Sequence, residues 1–150
     1  MKSLYEFKQD LYTIRENRRI MRSIRTSLAN LEEEVLSSVF SGAIDYSQER
    51  VQKSHDPDSA IINAIMMTEQ EKDKLKKQLS DLQEENSTIE NLIYSQRGLG
   101  AEIVRLYFIE GETMIAIAKR LHYHRDTCYA KWNDTIKLMW EASEVNADGQ

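Results

Sequence analysis

The chain has little of what stops helices and nothing that staples a fold. Its 150 residues include five glycines, one proline and one cysteine. A single cysteine makes no internal disulfide, so Cys128 is expected to serve as a small apolar filler in a reducing compartment. No apolar run approaches the ~20 residues that a membrane crossing requires, so no membrane partner is expected. The opening MKSLYEFKQDLYTIR breaks each apolar run with charge and offers no signal peptide, which points to the cytoplasm. A glycine-rich phosphate loop, paired carboxylates in a pocket and a nucleophile with a positioned base are all missing. No enzyme and no cofactor are therefore expected. His122, His124 and Cys128 have a spacing that fits no common zinc module, so no metal is expected either.

What is present is charge on helix-forming sequence. Asp, Glu, Lys and Arg make up 30% of the chain, and the formal net charge is -5. An acidic balance opposes nucleic-acid binding, but the distribution matters more than the sum. Residues 1 to 31 carry seven Lys or Arg against three acids, and the deficit comes from Glu32 onward.

Leu4, Phe7, Leu11, Ile14, Met21, Leu28 and Val35 recur near a seven-residue spacing, with Arg18 and Arg25 at two seam positions and Ile24 and Leu31 widening the face. This predicts a long amphipathic helix over about 4–39, ended by Gly42. Arg15, Arg18, Arg19, Arg22 and Arg25 form a basic stripe beside it, for phosphates or for acids on a neighbouring helix. Ser41 to Asp56 is predicted to be a linker, in which Tyr46, Arg50, Val51, Gln52 and Lys53 form a hook or a tether. Pro57 opens a second long helix to about Tyr94. Its seam reads Ile65, Thr68, Lys72, Leu75, Leu79, Leu82, Asn86, Ile89 and Ile93, alternating threes and fours. Asn86 on that seam is a device for fixing register. Two such helices bury too little alone, so self-association is expected through Leu11, Ile14, Met21, Leu28, Leu75, Leu79, Leu82, Asn86 and Ile89. Gly98 and Gly100 then suggest a flexible joint.

From Ala101 to Trp140 the punctuation specifies three short helices. The first, about Leu99 to Ile109, is stopped by Glu110-Gly111-Glu112. Thr113 caps the second, Met114 to Leu121, which turns Ile117, Ala118 and Leu121 inward. His122 stands in the following turn where glycine most easily reaches a left-handed backbone. The third helix starts at Arg125 and should bury Cys128, Trp132, Ile136 and Met139. Its opposite face then carries His124, Arg125, Asp126, Tyr129, Ala130, Asn133 and Lys137. Arg reads guanine edges and Asn adenine edges in a major groove, so these residues and Thr113 are candidate DNA contacts.

Glu102-Ile-Val-Arg-Leu-Tyr-Phe-Ile-Glu-Gly-Glu-Thr113, followed by Ile117-Ala118-Lys-Arg-Leu121, resembles the carboxy-terminal helix-turn-helix of sigma factors, the part that reads the promoter's upstream hexamer. It is similar also to the end of small phage late-gene transcriptional activators of the RinA and ArpU-like families. The motif covers about 40 of the 150 residues. The resemblance implies a DNA-binding regulator in a bacterial host cell, with host RNA polymerase as a further expected partner.

The expected fold is all-α: a long N-terminal coiled-coil helical hairpin over 1–94, a small C-terminal three-helix helix-turn-helix domain over 99–142, and a disordered tail over 143–150. The expected function is a phage or prophage transcriptional activator acting on double-stranded DNA as an oligomer. Two rivals use the same parts: a small-terminase-type DNA-packaging protein, and a coiled-coil interaction module that has lost DNA binding.

Overall fold

A computed structural model describes residues 2–45 and 57–148, with side chains described over 2–37 and 59–145. Among the described residues the chain is all-helical. Five helices follow in order: α1 Leu4–Asp45, α2 Pro57–Ser95, α3 Leu99–Phe108, α4 Met114–Leu121 and α5 Arg125–Asp148. They cluster as two units, Met1–Ile20 with Leu82–Gln150, and Met21–Asp81.

This grouping departs from the division at 94–99 read from the sequence. The start of α1 and the end of α2 belong with the three short helices, because one core holds them together. Phe7, Leu11 and Ile93 are buried in the same cluster as Ile103, Val104, Phe108, Ile117, Trp132, Ile136 and Met139. Three short helices cannot cover their own apolar faces, and the first turns of α1 supply the missing side.

α1 begins with a reciprocal cap. The Glu6 N–H donates to the Ser3 hydroxyl at 3.1 Å while the Ser3 N–H donates to the Glu6 carboxylate at 3.1 Å, which satisfies two N-terminal donors at once. The helix then passes through Gly42 and continues to Asp45, beyond the expected end near 39. A lone interior glycine costs only ~1 kcal/mol relative to alanine and stops a helix only where the chain turns left-handed. The proposed hook at Tyr46, Arg50, Val51, Gln52 and Lys53 lies outside the described residues.

The buried row of α1 runs Phe7, Leu11, Ile14, Asn17, Met21 and Ile24, continued by half-buried Leu28, Leu31 and Val35. Arg25, expected on the seam, is exposed, because two successive steps of three between Leu11 and Asn17 rotate the row onto Ile24. On α2 the row Ile65, Thr68, Lys72, Leu75, Leu79, Leu82, Asn86, Ile89 and Ile93 is buried or half-buried throughout, with Asn86 and Ile93 fully buried.

In the first unit, α1 and α2 meet through a polar layer. The Asn17 Nδ2 donates to Asn86 Oδ1 at 2.9 Å in a buried site, and Arg18 lies 3.2 Å from the Glu90 carboxylate. In the second unit Lys72 bridges Glu32 at 3.7 Å and Glu69 at 3.4 Å. The two helices run antiparallel within each unit: Asn17 meets Asn86 while Phe7 and Asp10 share a pocket with Ile89 and Leu92, and Glu32 meets Lys72 while Val35 shares one with Ile65 and Thr68.

Several residues expected to join copies of the chain are used up within it. Leu11, Ile14, Met21 and Asn86 retain 0%, 2%, 1% and 0% of their surface, so they have none left to offer a second copy. Leu28, Leu75, Leu79, Leu82 and Ile89 keep part of theirs.

Gly100 is no joint. A Cβ there would overlap the Thr135 hydroxyl and lie 3.0 Å from the Lys131 carbonyl oxygen, so α3 and α5 cross at backbone distance. Gly100→Ala is expected to destabilise the fold by ~1–3 kcal/mol, the usual cost of overpacking. A denaturation midpoint equal to that of the natural chain would refute the close crossing.

α5 also corrects an expectation. Residues 143–148 are helical, with no disordered stretch among them, because Glu141 to Ala147 holds good helix formers and no glycine or proline. The helix is tied to the residues just ahead of α1: the Trp140 indole N–H donates to the Lys2 carbonyl at 2.8 Å, and the Lys2 amide donates to Glu144 at 3.2 Å. Residues 149 and 150 lie outside the described part.

Candidate nucleic-acid interface

The site is built by α3, α4 and α5, which pack on one another. α3 ends at Ile109, and Gly111 takes φ 77 to turn the chain, a backbone conformation that glycine reaches without penalty. The turn is clamped from α1. Arg15 donates through Nε to the Tyr107 carbonyl at 3.0 Å and through Nη2 to the Gly111 carbonyl at 3.3 Å, with its guanidinium 4.5 Å from the centre of the Tyr107 ring. The basic stripe of α1 is thus largely structural. Arg15 caps a helix end, Arg18 pairs with Glu90, and Arg19 bonds Glu16 at 3.1 Å. The bond from Arg19 holds the Glu16 carboxyl below its usual range.

Thr113 caps α4: its hydroxyl accepts the Ala116 N–H at 3.2 Å. Ile117 and Ala118 face inward, and the small Ala118 lets α4 approach α5. His122 then takes φ 61 and ψ 40 at the C-cap, while the Tyr123 N–H donates to the Ala118 carbonyl at 3.0 Å. The turn forms without glycine, with His122 accepting the left-handed conformation at a modest cost.

His124 caps α5 twice over. Its carbonyl accepts the Cys128 N–H at 3.1 Å and its Nδ1 accepts the Asp126 N–H at 3.1 Å. Cys128, Trp132, Ile136 and Met139 point into the core. Burial pushes the Cys128 thiol up, away from the reactive thiolate. The opposite face is open: His124, Arg125, Asp126, Tyr129, Ala130, Asn133 and Lys137 are all exposed, as is Thr113. Lys131 is exposed too, and Trp132 fills the adjacent core position.

Trp132 anchors this face. It stacks on Phe108 at 5.7 Å and meets Tyr107 and Tyr129 edge-on at 5.5 and 6.1 Å. Tyr12 joins the cluster against Phe108 at 5.6 Å, and burial, then Tyr107, raises its hydroxyl pKa. Tyr129 is therefore held at its base and free at its outer edge.

Beside the α5 N-terminus an open groove of about 580 Å³ is lined by Ile115, Ala118, Lys119, His122, Tyr123, His124 and Arg125. Lys119, His122 and Tyr123 were not among the DNA contacts expected from the sequence. Their signal was the Ile115–Lys119 spacing on the outer face of α4, which leads into the left-handed turn. From Thr113 to Lys137 the chain holds five Lys or Arg against two Asp. The local balance is thus basic within an acidic protein, although Arg120 is paired with Glu112 at 2.7 Å. Cys128 faces the core while His122 and His124 face solvent, and among the described residues no three His, Cys, Asp or Glu converge on a metal position. No described helix is long and apolar enough to cross a membrane.

Comparison with protein-family models, curated proteins and solved structures finds no match to this chain.

Proposed function

We propose that this protein is a sequence-specific DNA-binding regulator in which α4 and α5 act as a helix-turn-helix and α5 enters the major groove. The observation that carries the reading is the split of α5 into two faces. One buries Cys128, Trp132, Ile136 and Met139, and the other leaves Arg125, Tyr129, Ala130, Asn133 and Lys137 exposed in successive turns. Support comes also from the capped, left-handed turn between the helices and from the basic balance of residues 113–137.

The roles follow from groove chemistry. Arg125 suits guanine N7 and O6, Asn133 suits adenine N6 and N7, and Ala130 with the edge of Tyr129 suits a thymine methyl. Lys119 and Lys137 suit phosphates, which position without specifying sequence. Thr113 and His124, whose polar atoms are engaged as caps, place the helices. The small basic excess of one unit favours use of more than one copy, since paired contacts multiply affinity. The seam of α1 and α2 is proposed as a coiled coil within each chain. By its resemblance the protein is a transcriptional activator of phage or prophage late genes, with contact to RNA polymerase part of the same proposal.

The test is selection of duplexes from a random library, followed by fluorescence anisotropy on the enriched sequence at two salt concentrations. Arg125→Ala and Asn133→Ala are each expected to cost ~1–3 kcal/mol on the selected duplex and little on an unrelated one. Failure of the folded protein to enrich any sequence would sink the proposal.

A further inference from the structure

The second unit carries exposed charges in an ordered pattern. Arg22, Arg25, Ala29, Glu33 and Leu36 recur at spacings of three and four on α1 and are all exposed, so they form a row beside the buried one. The row is antisymmetric about Ala29. Arg25 and Glu33 stand four residues to either side of it, and Arg22 and Leu36 seven. On α2 a matching exposed row reads Ile62, Met66, Glu69, Asp73 and Lys76. The two rows share one side of the hairpin by their spacing, because Glu34 and Ala64 line the opposite side together.

Neither Arg25 nor Glu33 is ion-paired with another described residue, and eight residues of helix hold them ~12 Å apart. Leu36, Ile62 and Met66 leave 59%, 55% and 56% of their surface open, an apolar end next to an acidic stretch and then a basic one.

We propose that a second copy of this chain docks here, with the two α1 helices crossing antiparallel at Ala29. That arrangement places each Arg25 against the Glu33 of the other copy and lays the Arg22 stem over the other copy's Leu36, where long stems cover apolar surface well. The two Ala29 methyls meet on the two-fold axis, where small side chains permit a close crossing. A parallel crossing would instead set Arg25 against Arg25 and Glu33 against Glu33, so the charges specify the antiparallel one. The inference rests on the reading that copies associate, and it specifies the surface.

The test is sedimentation equilibrium of the full chain over a dilution series. The natural chain is expected to dimerise, and Arg25→Glu and Glu33→Arg are each expected to weaken the dimer at least about tenfold by setting like charges across the axis. Mixing the two single variants, or combining both changes in one chain, restores opposite signs and is expected to restore the dimer. Residues 25 and 33 do not touch within a helix, so such rescue can come only through another molecule. Circular dichroism shows whether each variant keeps its helix. A natural chain that stays monomeric overturns both the association reading and this surface. A dimer indifferent to the single changes, or variants without rescue, overturns this surface alone. Library selection on the same samples reports DNA binding separately.

Discussion

A chain that begins at residue 21 is expected to show no cooperative melting of its C-terminal helices. Removing residues 1–20 takes Phe7, Leu11 and Ile14, which retain only 4%, 0% and 2% of their surface. Burying each such side chain is worth ~1.5–3 kcal/mol. Loss of three approaches the ~5–15 kcal/mol that holds a whole domain together. The same cut frees the Tyr107 and Gly111 carbonyls from Arg15 and takes Asn17 away from Asn86. Each hydrogen bond lost in this way removes a further ~0.5–1.5 kcal/mol. Thermal denaturation by circular dichroism, with amide dispersion by NMR, checks this. A dispersed spectrum and a sharp transition in the shortened chain would show that residues 99–148 fold alone.

Trp132→Ala is expected to be the most damaging single substitution, at ~3–5 kcal/mol. Trp132 touches α1 through Lys8, whose Nζ lies 6.0 Å from the ring centre, and α3 through Tyr107 and Phe108. Removing the indole opens a cavity bounded by three helices that can only partly collapse. Trp132→Phe keeps a stacking partner for Phe108 and is expected to recover roughly half of the loss. Urea titration gives the difference directly. A Trp132→Ala midpoint shift worth under ~1 kcal/mol would mean that the aromatic cluster is peripheral.

The two cases mark what periodicity makes legible. The burial row of α2 and the inward row of α5 follow residue spacing, because any partner that covers a helix covers the stripe facing it. The identity of that partner does not follow. Phe7 and Leu11 have the same spacing whether α2 covers them or Trp132 and Phe108 do, so the boundary drawn near residue 94 missed the shared core. Asn86 was readable as a polar seam residue, but Asn17 was not, since finding it requires the register between α1 and α2. Arg15 was read as part of a basic stripe for phosphates or for acids on a neighbouring helix, and its carbonyl partners, 92 and 96 residues away, were not foreseen. Gly42 and Gly100 were read as breaks, yet one lies inside a helix and the other at a close crossing. The candidate interface was more legible than the core, because the face of α5 left outside is fixed once the buried row is known.

The knot of Lys2, Trp140 and Glu144 has a consequence for biosynthesis. Chains emerge from the ribosome amino end first, and most domains can begin to fold as they appear. Here the first turns of α1 find their permanent neighbours in α5, about 140 residues further along the chain, so their apolar stripe stays uncovered until α5 has been made. Such long-range closure slows folding.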